Sequence, residues 1–509
     1  MVLGGWGFSL PAVAQTIVPA GDGTATLVMP NGNTFNITGG QLSGDGRNLF
    51  HSFQDFGLSA QQIANFIANP QIQNILGRVV GGNPSVINGL LQVSGANANL
   101  FLMNPSGIVF GPNAALNVPA SFAATTATGI NFGAGQFSAF GPNNYSALTG
   151  SPQGFIFQGL QSGAIINAGN LSVNAGEGIS LTGGTVVNTG TLSAPGGEIT
   201  LTAVPGAGLV RISQKGQVLS LEVPLPQDSQ GNPLPFQPAD LPALLTGSGL
   251  DAGLTVTPNG AVALTQTGTQ IPAQPGTAIV SGTVNVSSPT SAGGTAQITG
   301  AQVGLVGAQV QADGLLGGGT LKVGGDYRGQ GSLPTAKNTF VSADSRLNAN
   351  ALGQGDGGQI TVWADGNTQF QGTISAQGGP QGGDGGFAEV SGKENLAFQG
   401  QANLTAPQGE LGTLLLDPEN ITIVSSSGGL NDGQLPVILF TQDPGADYTI
   451  SESALEALAG TTNIQLEAAN NITVNPLLDG FLSFQSGNGT IIFSANADNL
   501  GGGDFTMGA

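Results

Sequence analysis

The chain has 509 residues, with 9 basic against 29 acidic side chains, a net charge of −20 and no cysteine. That balance excludes nucleic acid as a partner, because phosphate binding rests on lysine and arginine, and it disfavours an anionic lipid surface. Without cysteine there is no thiol catalysis and no thiolate metal site. A cysteine-free chain also suits passage through an oxidising compartment while unfolded, where a premature disulfide would close a loop.

Glycine supplies 86 residues, about 17% against a usual figure of about 7%. Apolar residues reach 39% while charged ones are only 7%, so simple disorder, which needs the opposite balance, is excluded. Short strands joined by glycine turns remain, and the fold class is all-β. No run of 18 apolar residues predicts a membrane-spanning helix. Two Trp and three Tyr do not furnish the aromatic girdles of a membrane barrel.

Residues 2–10 are apolar, and Ala12-Val13-Ala14 before Gln15 is a small-residue cleavage site. Residues 1–14 read as a residual signal peptide whose beginning is missing, with the mature chain starting near Gln15. Residues 24–28 and 34–38 alternate at period two around the turn Pro30-Asn31-Gly32-Asn33. Leu49, Phe50, Phe53 and Phe56 are too many large apolar groups for a loop without a core beneath them. His51, the only histidine, reads as structural among these aromatics.

A short helix is predicted next. Ser59 and Gln62 have capping-box spacing, Ile63, Phe66 and Ile67 fall on one helical face, and Asn69-Pro70 marks the end. From residue 75 to 130 a strand and a turn recur about every ten residues, as a coiled sheet requires.

Farther on, a Gly-Gly pair followed by an alternating strand recurs at Gly196-Gly197, Gly293-Gly294, Gly318-Gly319, Gly357-Gly358 and Gly385-Gly386. The spacing is irregular, which favours a β-helix over a propeller, since loops of any length can leave a coil. Ile360, Val362 and Ala364 are its inward positions, alternating with Gln359, Thr361 and Trp363. Six prolines from Pro224 to Pro242 predict an excursion from the coil over 222–277, because proline cannot donate to a strand ladder. Ser453 and Glu456 predict a second short helix over 454–459, ended by Gly460.

Catalytic groups are not assembled by any spacing. There is no metal-ligand pattern of Cys and His and no phosphate loop. Asp356 and Asp384 read as turn residues without the tandem pattern of a calcium-binding roll. No catalytic, cofactor or metal site is therefore assigned.

One stretch, residues 46–130, resembles the N-terminal secretion domain of filamentous-haemagglutinin-type exoproteins of two-partner secretion. The residues that carry it are Arg47-Asn48-Leu49-Phe50-His51-Ser52-Phe53, Ile75-Leu76-Gly77-Arg78-Val79, Gly82-Asn83-Pro84-Ser85-Val86-Ile87-Asn88-Gly89 and the segment from Ala98 to Ile108. Asn104-Pro105-Ser106-Gly107-Ile108 matches the family's Asn-Pro-Asn-Gly-Ile except at Ser106. Asn69-Pro70-Gln71-Ile72 matches a second motif, Asn-Pro-Asn-Leu, more loosely. Residues 411–423 look like a segment of larger, cyanobacterial-type haemagglutinin-like exoproteins.

The resemblance implies a right-handed parallel β-helix with a few short helices and extra-helical loops. It implies export through the periplasm and an outer-membrane transporter with periplasmic recognition domains. It assigns transporter recognition to Asn104, Pro105, Ser106, Gly107, Ile108, Asn69 and Pro70. The expected organisation is a residual signal peptide (1–14), a secretion domain (15–150), coils (151–221), the excursion (222–277) and further coils (278–509) that are truncated at the end. The expected function is a secreted or surface-held, non-enzymatic adhesin or surface-structural protein, with extracellular glycans as candidate partners. The rivals are a β-helical polysaccharide-active enzyme and the stalk of a contact-dependent toxin. As a turn residue, Asn104 is expected to lose only about 1 kcal/mol on truncation to Ala.

Overall fold

The computed structural model describes residues 17–508, apart from 159–161, 207, 212–220, 223–240, 259, 417–420, 426–447, 457–459, 461–462, 468–470, 478 and 496–502. The expected signal peptide, the prolines from Pro224 to Pro238 and residues 417–420 of the 411–423 segment lie outside the described residues.

Short strands separated by tight turns wind the chain into coils with three faces. Asn99–Met103 lies on the first face, Ile108–Phe110 on the second and Ala115–Asn117 on the third. Phe122–Thr125 then returns to the first face, parallel to Asn99–Met103, with Leu100 opposite Phe122. The same cycle runs from Gln359–Ala364 through Asn367–Phe370 and Thr373–Ser375 to Phe387–Gly392. Among the described residues the result is three long sheets of 15, 9 and 12 strands, parallel along the coils. The fold is the expected parallel β-helix.

Alternation puts one side of each strand in a continuous core. Leu100, Leu102, Ile108 and Phe110 point inward in one coil, and Ile360, Val362 and Ala364 in another. Polar side chains stack between coils at the corners. Asn74 Nδ2 donates to Asn48 Oδ1 at 2.8 Å, and Asn99 Nδ2 to Asn74 Oδ1 at 2.9 Å. Asn367 and Asn395 repeat the pattern onto Asn338 and Asn367. The Gly-Gly pairs have a steric cause. A Cβ on Gly358 would stand 2.1 Å from Gly319 O, and one on Gly386 would stand 2.2 Å from Gly358 O. Only a residue without Cβ lets successive corners approach this closely.

Two extra-helical units cover two of the faces. Gly129–Asn131, Gln136–Ser138, Gly154–Phe157, Gly208–Arg211 and Leu221–Glu222 form an antiparallel sheet. Its apolar side packs on Phe50, Leu76, Phe101 and Met103 of the first face. Helix α1 (Leu241–Ser248) and the strands Leu254–Val256, Val262–Leu264 and Gln270–Ile271 pack on Val109, Ile166 and Val187 of the second face. The chain leaves the coil after Ala203 and rejoins it at Thr277, whose strand pairs directly with Thr185–Asn188. Outward-facing Trp363 is also covered, by the turn Tyr327–Gly329, where a Cβ on Gly329 would lie 2.5 Å from the indole.

The helix expected after Ser59 is a strand, Ile63–Ile67. The capping-box contact exists, since Gln62 Oε1 accepts from Ser59 N at 2.8 Å. It closes a turn, after which Ala64 and Phe66 face the core while Ile67 is exposed. Backbone pairing with Thr34–Gly39 and Leu90–Ser94 overrides the local helical spacing. The second helix, α2, spans Glu452–Glu456 and so begins before the expected 454; residues 457–459 lie outside the described residues.

Candidate functional site

The 104–108 segment is the corner between the first and second faces. Asn104 organises it. Its Oδ1 accepts from Ser106 N at 2.9 Å, and its Nδ2 donates to Asn83 O and Ser85 Oγ, both at 2.9 Å. Gly107 N closes the turn onto Asn104 O at 3.1 Å. Gly107 has φ of +122°, and a Cβ there would lie 3.0 Å from Leu244 of α1. A Cβ on Gly163 would lie 2.5 Å from Pro105 O, so the following coil seals the corner too. All five residues are buried, with Asn104 and Ile108 fully so.

Asn69 and Pro70 sit elsewhere, in the exposed turn from the third face to the first. Asn69 Oδ1 accepts from Gln71 N at 3.0 Å, and buried Ile72 anchors the exit. The structure therefore does not bring the two expected recognition segments together: one is sealed and one is open, at different corners.

His51 points into the first coils between Phe53 and Phe66. Neither ring nitrogen has a hydrogen-bond partner among the described residues, and burial pushes its pKa from 6.5 down to about 4. Among the described residues, no group of three or more His, Asp or Glu could hold a metal. Asp356 and Asp384 stack in their turns, Asp384 N donating to Asp356 Oδ1 at 2.8 Å.

Arg78 was given no role by sequence reasoning, and it is a structural centre of the region. It is 2% exposed. Its guanidinium pairs with Asp22 at 2.8 Å and donates to Ser52 Oγ, Ser138 O and Gly141 O. It therefore joins the turn that holds Asp22 near the N-terminus, the first face and the antiparallel sheet. A lone cation within the apolar run from Ile75 to Val79 was the available signal, since a buried charge requires partners.

The TPS secretion domain family matches residues 14–241. The chain carries a TPS secretion domain. It is a two-partner secretion exoprotein, exported and then secreted or held at the cell surface, as the motifs in residues 46–130 implied. A domain of this kind interacts with an outer-membrane partner transporter. The match takes in the antiparallel sheet on the first face and ends at Leu241, where α1 begins. The chain is similar to the HMW1 secretion domain from Haemophilus influenzae, at 20% identity and TM-score 0.39 over 78% of this chain and 99% of that one. It is also similar to a filamentous hemagglutinin secretion domain, at 17% identity and TM-score 0.28 over 78% of this chain and 100% of that one. No curated protein matches the chain. No helix among the described residues is long and apolar enough to cross a membrane.

Proposed function

We propose that the chain is a non-enzymatic adhesin or surface-structural protein whose TPS domain is read by the transporter's periplasmic recognition domains before it folds. The supporting observation is the burial of residues 104–108. A partner that reads Asn104, Pro105, Ser106, Gly107 and Ile108 needs their backbone and side chains free. In the folded coil, those groups are occupied by Asn83, Ser85, Gly163 and Leu244. Recognition by added β-pairing uses extended backbone, which this segment offers only until the corner closes. Exposed Asn69 and Pro70 are available in either state. Coil-by-coil closure outside the cell then favours forward movement. The absence of cysteine and the low count of tuned titratable groups support the non-enzymatic reading.

The test is capture of the chain by the transporter's periplasmic portion, with the chain either refolded or freshly diluted from urea. The expected result is capture of the freshly diluted chain only, weakened by Asn104→Ala at a stage when folded stability plays no part. Equal capture of refolded chain, or capture indifferent to Asn104→Ala, would overturn the reading.

A further inference from the structure

One outward row of the first face changes character along the coils. Phe50, Leu76 and Phe101 stand opposite one another in register on successive strands, and Ala123 follows on the next. Beyond Ala123 the same row is polar, with Ser180, Thr200 and Gln297 in register. A coil that turns apolar groups outward as well as inward needs a second cover, whereas a polar outer row can meet water.

The cover for the apolar coils is the segment that directly follows them. Residues 129–157 lay Phe132, Phe137 and Tyr145 on Phe50, with ring centroids 5.9, 5.0 and 5.3 Å away. The same segment satisfies polar groups of the N-terminal turns. Asn48 Nδ2 donates to Leu148 O at 2.9 Å and to Gly150 O at 2.8 Å. Gly150 N donates to Asp45 Oδ2 at 2.9 Å, and Gly44 N to Ser146 O at 3.1 Å. Thr24 Oγ1 and Tyr145 Oη share a hydrogen bond of 2.7 Å. Two of the four partners of Arg78, Ser138 O and Gly141 O, come from this segment too. These bonds reach back 60 to 121 positions. Without them Asn48 and Arg78 lose partners and Phe50 faces water, so the ordering of the first coils is not offset.

We propose that residues 129–157 are a latch. Residues up to Thr125 stay open until the segment as far as Gly150 has docked, and they then close with it as one unit. The corner at Asn104 lies in these coils, so the latch also sets when that corner can form. Later coils, with their polar outer row, close one after another. The proposal concerns the order in which the chain itself closes and stands apart from its reading by the transporter.

The test is native-state hydrogen exchange of the purified full chain. It compares the coil strands Asn48–Phe56, Asn74–Val79 and Asn99–Met103 with the latch strands Gly129–Asn131 and Gly154–Phe157, and with the later strands Thr295–Thr299 and Gln359–Ala364. Coil and latch strands should share one opening equilibrium. Phe137→Ala removes a ring packed on Phe50 outside the inner core. It should raise that opening about hundredfold in coil and latch strands alike, and leave the later strands unchanged. If Phe137→Ala does not fold, Tyr145→Phe, which removes the bond to Thr24, should raise it about fivefold in both. The proposal fails if the coil strands keep their protection while the latch strands lose theirs, or if the later strands lose protection to the same degree. After dilution from urea, a short exchange pulse should find coil and latch strands protected in the same phase. Earlier protection of Asn48–Phe56 would overturn the latch.

Discussion

Arg78 Nη2 lies 2.8 Å from Asp22 Oδ2, joining two residues 56 positions apart beneath the hairpin that carries Ser138 and Gly141. Phe137 stacks over the same guanidinium at 5.7 Å. Desolvation alone would raise the Asp22 carboxyl. Hydrogen bonds from Ser52, Thr24 and Arg78 outweigh it and hold the pKa at about 2.

Removing one partner of this pair leaves the other without its counter-charge. Arg78→Ala also empties a buried site and strips Ser52 Oγ, Ser138 O and Gly141 O of their donor, so it should destabilise the TPS domain by about 3–5 kcal/mol, read as a lower urea midpoint of the purified chain. Asp22→Asn should cost less, since Asp22 is partly exposed and the Arg78 contacts with Ser138 and Gly141 remain. Equal and small effects of both would contradict the placement of Arg78.

Acid should weaken the first coils in two steps. The folded state holds His51 neutral down to about pH 4, whereas the unfolded chain takes up the proton near 6.5. Stability is full above 6.5 and falls between 6.5 and 4, by an amount on the order of 3 kcal/mol. The Asp22 contribution is present above 3.8 and is lost as the pH falls toward 2. Urea midpoints measured across this window should show both losses. His51→Phe should flatten the upper step, and Asp22→Asn the lower.

Asn104→Ala strands Ser106 N and Ser85 Oγ in a buried corner and frees Asn83 O at its edge. The expected cost is about 2–4 kcal/mol, not the modest turn effect that its sequence context implies. Ile108→Ala, at a fully buried core position, should cost about 2–5 kcal/mol. Similar melting losses for both variants would check this. Secretion alone therefore cannot separate recognition from folding at Asn104, and capture of the unfolded chain is needed.

Gly358→Ala places a Cβ against Gly319 O across a coil boundary. Overpacking of this kind costs about 1–3 kcal/mol, and the effect should be local. Hydrogen exchange should quicken in Thr320–Val323 and Gln359–Ala364 while strands before Ala203 keep their protection. Uniform loss across the chain would contradict a stack of locally coupled coils.

The β-helix was legible because its causes are local and repeated. Alternation over 359–364 and the recurrent Gly-Gly pairs record the coil directly. The segment after Ser59 was misread because the Gln62 contact is real, and because Ile63, Phe66 and Ile67 also satisfy helical spacing. Pairing with distant strands decides the matter, and one sequence does not display it. The burial of Asn104 was hidden for the same reason, since Gly163 and Leu244, which seal the corner, come 59 and 140 residues later. The partners of Arg78 are likewise remote.

The most direct measurement is the amount of chain released into the medium by cells with and without the outer-membrane partner transporter. Release that depends on the transporter, with the chain held in the periplasm in its absence, is the expected result. Equal release without the transporter would contradict two-partner export.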